Sequence, residues 1–198
     1  MPDGARPGEA FVELVAVMDR LRRECAWTQE QTHASLARYL LEEAHETLDA
    51  LESGDSEHLR DELGDLLMQV VFHARIAEEG YAGSGGGWDV DVVARAITAK
   101  LVRRNPHVFG EGTARTPEEI DAAWQAVKAT EEPRSSVHDG IPSTLPALAR
   151  ADKVLKRLGD PAVEGDDLGS RLLALVAEAR AQGVDAEAAL RRRIAELG

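Results

Sequence analysis

Glu42, Glu43 and Glu46, followed by Glu62 and Asp65, are the side chains of this sequence best spaced for chemistry. Residues three or four apart are neighbours on a helix surface, so each group concentrates carboxylates on one patch. At about 100° per residue, Leu36, Leu40, Glu43, Thr47 and Leu51 share one apolar stripe, with Glu46 and Glu42 progressively off its edge. Leu59, Leu63, Leu66, Leu67, Val70 and Ala74 form a second stripe, flanked by Glu62 with Asp65 further round. Like charges about 4 Å apart repel by roughly 4 kcal/mol at an effective dielectric near 20. Acids on such a seam therefore take up protons or share a cation. An all-oxygen donor set suits a hard divalent ion, Mg²⁺ or Mn²⁺. The competing reading is a solvated acidic face, common in a chain with 36 Asp and Glu against 23 Lys and Arg. Glu43 inside the apolar stripe argues against that reading.

Helical periodicity dominates the elements that must hold these acids. Phe11, Leu14, Val15, Met18 and Leu21 predict a first amphipathic helix over about residues 9–24. Residues 25–32 break the period and read as a loop with a cap at Thr32. Helices follow over about 33–52 and 56–79, joined by a turn at Ser53-Gly54-Asp55, with Asp55 or Ser56 as the cap. The glycine run at 83–87 reads as a flexible connector. Further helices are expected over about 89–104, stopped by Asn105-Pro106, and from Pro117 to near Glu131. Pro133, Gly140, Pro142 and Pro146 mark a linker.

The formal net charge of −13 argues against a nucleic-acid surface. It does not exclude an anionic substrate, because a bound cation and a few local bases reverse the field within one pocket. The single cysteine, Cys25, precludes an internal disulfide, suits a reducing compartment and defaults to a small buried hydrophobe. No stretch has the length and apolarity of a membrane span, and no signal peptide is evident, so a cytoplasmic protein is expected.

Lys100, Arg103 and Arg104 gather at one helix end. Lys100 and Arg104, four apart, share a face that could clamp phosphate oxygens; complementing the helix dipole is the simpler explanation. Trp124 and Lys128 are also four apart, placing an indole for base stacking beside an ammonium for phosphate, with core packing as the alternative for Trp124. Trp27 either covers a nucleotide or plugs the core. His45 and His73 read as packing or supporting residues, and His107 as a loop residue.

The tail repeats part of the second acidic helix. Leu63-Gly64-Asp65-Leu66-Leu67-Met68-Gln69 aligns without gaps onto Leu168-Gly169-Ser170-Arg171-Leu172-Leu173-Ala174. Asp167 replaces Glu62 and Ser170 replaces Asp65, so the echo repeats the helix without the acids.

Taken in order, these motifs resemble the MazG-type nucleoside triphosphate pyrophosphohydrolases. The matching residues are Glu42-Glu43-Ala44-His45-Glu46, then Glu62-Leu63-Gly64-Asp65, and the segment Cys25 to Thr32. Lys100 to Phe109, Trp124 with Lys128, and Ile141 to Leu148 continue the match. The resemblance implies an all-α antiparallel helical bundle whose four-helix core is completed by dimerisation. It implies Mg²⁺-dependent hydrolysis of nucleoside triphosphates to the monophosphate and pyrophosphate, in nucleotide-pool house-cleaning, with Mn²⁺ as a substitute. Glu43, Glu46, Glu62 and Asp65 would hold the metal, and Glu42 would support them or help position or deprotonate the attacking water. Lys100, Arg103, Arg104, Trp27, Trp124 and Lys128 would bind substrate, with Lys100 also catalytic. Residues 1–132 would form the catalytic domain and 133–157 a linker and the start of a helix. Residues 158–198 would be a catalytically silent remnant of a second domain, serving packing or dimerisation. Ala26 and Thr28 stand where the family usually has Pro and Asp, and the glycine run is unusual. Two other classes compete: a non-catalytic helical regulatory protein of the same descent, and a di-iron carboxylate bundle. The latter matches its Glu-x-x-His spacing once, at Glu42 to His45.

Overall fold

The computed structural model describes residues 8–80, 86–131 and 135–197, and these are helices and connecting turns without a strand. The chain divides into two compact units, residues 1–115 and 116–198. In the first lie α1 (Glu9–Glu24), α2 (Ala26–Glu30), α3 (His33–Ser53), α4 (Ser56–Ala77), α5 (Val90–Arg104) and α6 (Pro106–Phe109). In the second lie α7 (Pro117–Glu131), α8 (Ala147–Leu158), α9 (Leu168–Ala181) and α10 (Ala186–Ala195). The domain end drawn at 132 from sequence thus falls after α7, inside the second unit.

The α3–α4 hairpin is the centre of the first unit, with α1 and α5 packed on α4. Thr32 caps α3 by accepting from the Ser35 amide while the Ser35 hydroxyl bonds back to the Thr32 amide. Gly54 ends α3 at φ +73°, a left-handed conformation that glycine adopts without a Cβ penalty. Asp55 then accepts from the amides of Glu57 and His58 and starts α4. This tight reversal makes the two helices antiparallel neighbours.

The core lies towards one end of the hairpin, where Met18, Leu36, Val71, Phe72, Ala74, Ile76 and Val90 pack together. His33 and His73 stack beside it with ring centroids 5.1 Å apart and Nδ1 atoms 2.8 Å apart. Burial, then the charge of His33, pushes His73 below the ordinary imidazole range. Much of the apolar stripe expected to face a core instead faces outward: Leu51, Leu63 and Leu67 are 56%, 49% and 40% exposed. A two-helix hairpin has too few partners within its own unit to cover both stripes along their length.

Two connections differ from the sequence expectation. The segment 25–32 is not a loop throughout, because α2 forms within it, and α6 opens the polar segment after Asn105. A buried Arg22, which periodicity alone does not reveal, explains α2. Its guanidinium donates to the backbone oxygens of Thr28 and Gln31, tying the middle and the C-terminal end of the short helix to α1. The Thr28 hydroxyl donates to Leu21 O at 2.5 Å and Cys25 O at 2.9 Å. Thr28, standing where the family usually has Asp, thus fastens this connection to the end of α1. Residues 83–85 of the glycine run and Pro133 of the linker lie outside the described residues.

In the second unit Ile141, Leu155 and Val176 are buried. Arg180 bridges α9 to Asp152 of α8 at 2.6 Å and to Asp160 at 2.7 Å. Asp167 caps α9 by accepting from the Ser170 amide and hydroxyl. The two positions that echo Glu62 and Asp65 thus satisfy each other at a helix start.

Arg22 also donates Nε and Nη2 to Glu79 at 2.9 and 2.7 Å, closing α1 onto the end of α4. The Arg22 hydrogen bond holds Glu79 below the usual carboxylate range. A lowered acid stabilises the fold above its unfolded value near 4.5, and that contribution is lost as pH falls through the lower folded value. Glu79→Gln should therefore cost about 1–2 kcal/mol at pH 7, with the deficit shrinking on acidification below the unfolded value. Urea unfolding of both proteins at neutral and acid pH measures this, and an equal deficit at both would contradict it.

Candidate metal and nucleotide site

Three of the expected metal ligands meet across the hairpin. One carboxylate oxygen each from Glu43, Glu62 and Asp65 lies within 4.8 Å of the other two. Glu43 comes from α3, and Glu62 and Asp65 lie one turn apart on α4. Glu43 and Glu62 are half-buried and Asp65 is exposed. Burial first, then the charges of Asp65, Glu46 and Glu62, pushes the Glu43 carboxyl above its ordinary range, while Gln69 opposes that rise. Without positive charge nearby, Glu43 holds a proton more readily than an ordinary surface acid does.

Glu46 is exposed, outside the converging trio but near enough for its charge to act on Glu43. Glu42 is exposed on the next position of α3. His45 is exposed and does not join the acids, so the histidine that a di-iron motif requires is absent from the cluster among the described residues.

Beneath the acids lies support that sequence reasoning missed. Thr47, one turn after Glu43 and buried, donates its hydroxyl to Glu43 O at 2.7 Å and reaches Glu62 O at 3.5 Å. Its place within the apolar stripe was the available signal. His58 Nε2 lies 3.1 Å from Glu62 Oε1, a pair four apart on α4. Gln69 is buried, one turn beyond Asp65. It was overlooked because an uncharged amide in a run of apolar residues passes for filler.

The expected substrate-binding residues are spread over several elements. Lys100 is exposed on α5, in a hollow lined by Trp88, Val92, Val93, Ala96 and Ile97. Arg103 is exposed, whereas Arg104 is buried at the helix end. Trp27 lies on α2 rather than in a loop and is half exposed, edge-on to Tyr39 at 6.1 Å and tilted against Phe72 at 6.4 Å. The ring is thus partly a core plug and partly open to solvent. Trp124 and Lys128 are half-buried on α7 of the second unit, where Lys128 lines a basic hollow with Lys153, Lys156 and Arg157.

Converging carboxylates on a helical hairpin are also where this chain matches known proteins. The model of the MazG nucleotide pyrophosphohydrolase domain matches residues 31–109, which span both acidic helices and the basic end of α5. The nucleoside triphosphate pyrophosphohydrolase of Mycobacterium tuberculosis is 49% identical over 79% of this chain and 46% of its own length. This chain thus spans about half of that curated relative. The nucleoside triphosphate pyrophosphohydrolase/pyrophosphatase MazG of Thermotoga maritima is 34% identical over 93% of this chain and 81% of its own. A crystal structure of a mazG-related protein from Thermotoga maritima superposes with a TM-score of 0.50 at 26% identity, covering 59% of this chain and 97% of that one. Identity extending over most of a relative, on the same helices that carry the acids, places the chain in the MazG nucleotide pyrophosphohydrolase family.

Proposed function

We propose that this chain hydrolyses nucleoside or deoxynucleoside triphosphates to the monophosphate and pyrophosphate with Mg²⁺, Mn²⁺ serving as a substitute, in nucleotide-pool house-cleaning in the cytoplasm. The observation that carries this reading is the approach of Glu43, Glu62 and Asp65 to within 4.8 Å in a chain of this family. The residues fit a hard cation: the donors are all oxygens, the Glu43 environment disfavours a lone negative charge, and the buried Gln69 oxygen lacks a protein partner.

Glu43, Glu46, Glu62 and Asp65 hold the ion. When bound, it neutralises the triphosphate and the charge that develops during phosphoryl transfer. Glu42 orders or deprotonates a water whose oxygen bonds to the α-phosphorus. The bond from that phosphorus to the α–β bridging oxygen breaks, and pyrophosphate leaves with that oxygen. Lys100 and Arg103 meet the phosphate oxygens, with Arg104, buried at the helix end, as the third base of the group. Trp27 offers a face to the base, and Trp124 with Lys128 on α7 is a second indole–ammonium pair of the kind that stacks on a base and reaches phosphate. Residues 1–132 supply the catalysis, and the catalytically silent tail from 158 serves packing or dimerisation.

The outward apolar residues of the hairpin, together with exposed Ile97 and Leu101 of α5, support a homodimer in which a second copy completes a four-helix core. Among the described residues no helix is long and apolar enough to cross a membrane.

Pyrophosphate release from a panel of dNTPs and NTPs with Mg²⁺ tests the reading. Turnover of at least one nucleotide is expected, and metal binding without any turnover would contradict it. Glu43→Gln or Glu62→Gln should lower kcat/KM at least about a hundredfold and weaken Mg²⁺ binding. Near-normal rates in both would remove the site. Lys100→Ala should raise KM for the triphosphate about tenfold and lower kcat; an effect on melting temperature alone would make it a structural residue.

A further inference from the structure

We propose that His33 and His73 form a pH-sensitive latch at the open end of the α3–α4 hairpin, closed by one shared proton near neutral pH and released when both rings are protonated. The latch involves none of the acids and does not depend on the metal reading.

His33 is the first residue of α3, and His73 stands one turn before the end of α4, 40 positions further along the chain. The Gly54 turn joins the other ends of these helices, so this contact closes the end that the chain leaves open. The ring planes lie within 5° of parallel, and the Nδ1 atoms are 2.8 Å apart, the separation of a hydrogen bond. A neutral imidazole has one donor and one acceptor nitrogen, so one Nδ1 donates and the other accepts. Trp88, just before α5, lies 6.5 Å from the His33 ring between centroids. Phe72, next to His73, belongs to the core and meets Trp27 of α2 at 6.4 Å. Release of the latch thus loosens the support of the Trp27 ring as well as the first turn of α3.

Acid acts on this contact in two steps. One added proton leaves a donor facing an acceptor but creates a cation that burial disfavours. A charged ring donates from both nitrogens, and Nε2 of His73 is buried with no acceptor among the described residues. A second proton sets two N–H groups and two positive charges against each other, and the bond is lost.

The neighbouring charges are engaged elsewhere. Arg75 of α4 binds Asp19 of α1 at 2.9 Å and Glu79 at 3.1 Å, and Arg22 of α1 binds Glu79 at 2.7 Å. Glu78 lies 3.6 Å from Arg75, and Asp89, ahead of α5, accepts from the Val92 amide. On α3 the Arg38 guanidinium covers the Tyr39 ring, and Glu30 of α2 is exposed. Burial, then the charge of His33, keeps His73 below the ordinary imidazole range. The folded chain therefore binds fewer protons here than the unfolded chain. Its contribution to stability is present above the unfolded value of 6.5 and is lost as pH falls below it.

Thermal unfolding of the full chain from pH 7.5 to 5.5 tests the latch, in a window above the one in which Glu79 titrates. The wild-type melting temperature should fall about 3–6 °C across that window. His73→Gln offers an amide to His33 without titrating, and should lose at most half as much. Hydrogen exchange of the wild type, corrected for its intrinsic pH dependence, locates the change. Amides of residues 36–39 and 74–77 should lose about tenfold in protection at pH 5.5 relative to those of residues 62–68. If the variant fails to fold, wild-type exchange and the imidazole NMR signals carry the test, with His33 and His73 titrating as a coupled pair. An equal fall in both proteins, unchanged protection at pH 5.5, or two rings titrating independently near 6.5 overturns the proposal.

Discussion

Mutual repulsion among Glu43, Glu62 and Asp65 is the constraint around which the first unit is built. Three carboxylate oxygens within 4.8 Å of one another, two of them on half-buried side chains, raise the free energy of the metal-free fold. Burial and like charge push Glu43 towards its protonated form, and a divalent cation removes the conflict by neutralising the cluster. The stability given up by placing these acids together is available to bind a cation and, through it, a polyanion.

Everything else in that unit holds the acids in place. The Gly54 reversal and the Asp55 cap bring α3 and α4 together antiparallel, so that Glu43 faces the turn carrying Glu62 and Asp65. Thr47 joins the two backbones directly below the acids. At the opposite end, Arg22 and Arg75 of neighbouring helices bind Glu79 and Asp19, closing α1 on the C-terminal end of α4. The apolar core lies near that closed end. Away from that end the apolar flanks of the hairpin, Leu51, Leu63 and Leu67 among them, stay exposed.

Helix boundaries were legible in the sequence wherever the chemistry is local. Thr32 with Ser35, Gly54 with Asp55, and Pro117 announce their elements through capping and backbone preference, and the structure places helix ends at those residues. The carboxylate cluster was legible because helical spacing converts sequence distance into a shared face. What escaped were residues whose role depends on a partner distant in sequence. Arg22 reads as one more base near the end of an amphipathic helix, yet it organises α2 and ties down Glu79, 57 positions away. Gln69 reads as a polar interruption of an apolar run, yet the fold buries it. Trp27 shows the opposite error: its segment lacks periodicity and reads as a loop, whereas hydrogen bonds from Arg22 to Thr28 and Gln31, six and nine positions on, hold a short helix there. The face of a stripe was harder still, since periodicity identifies an apolar face without saying whether the chain itself covers it.

Anomalous diffraction from crystals of this protein grown with Mn²⁺ tests the central claim most directly. The account predicts a manganese peak between Glu43, Glu62 and Asp65, with carboxylate oxygens about 2.0–2.2 Å from the ion. A peak elsewhere, or these three carboxylates turned apart into solvent with no ion between them, would contradict it.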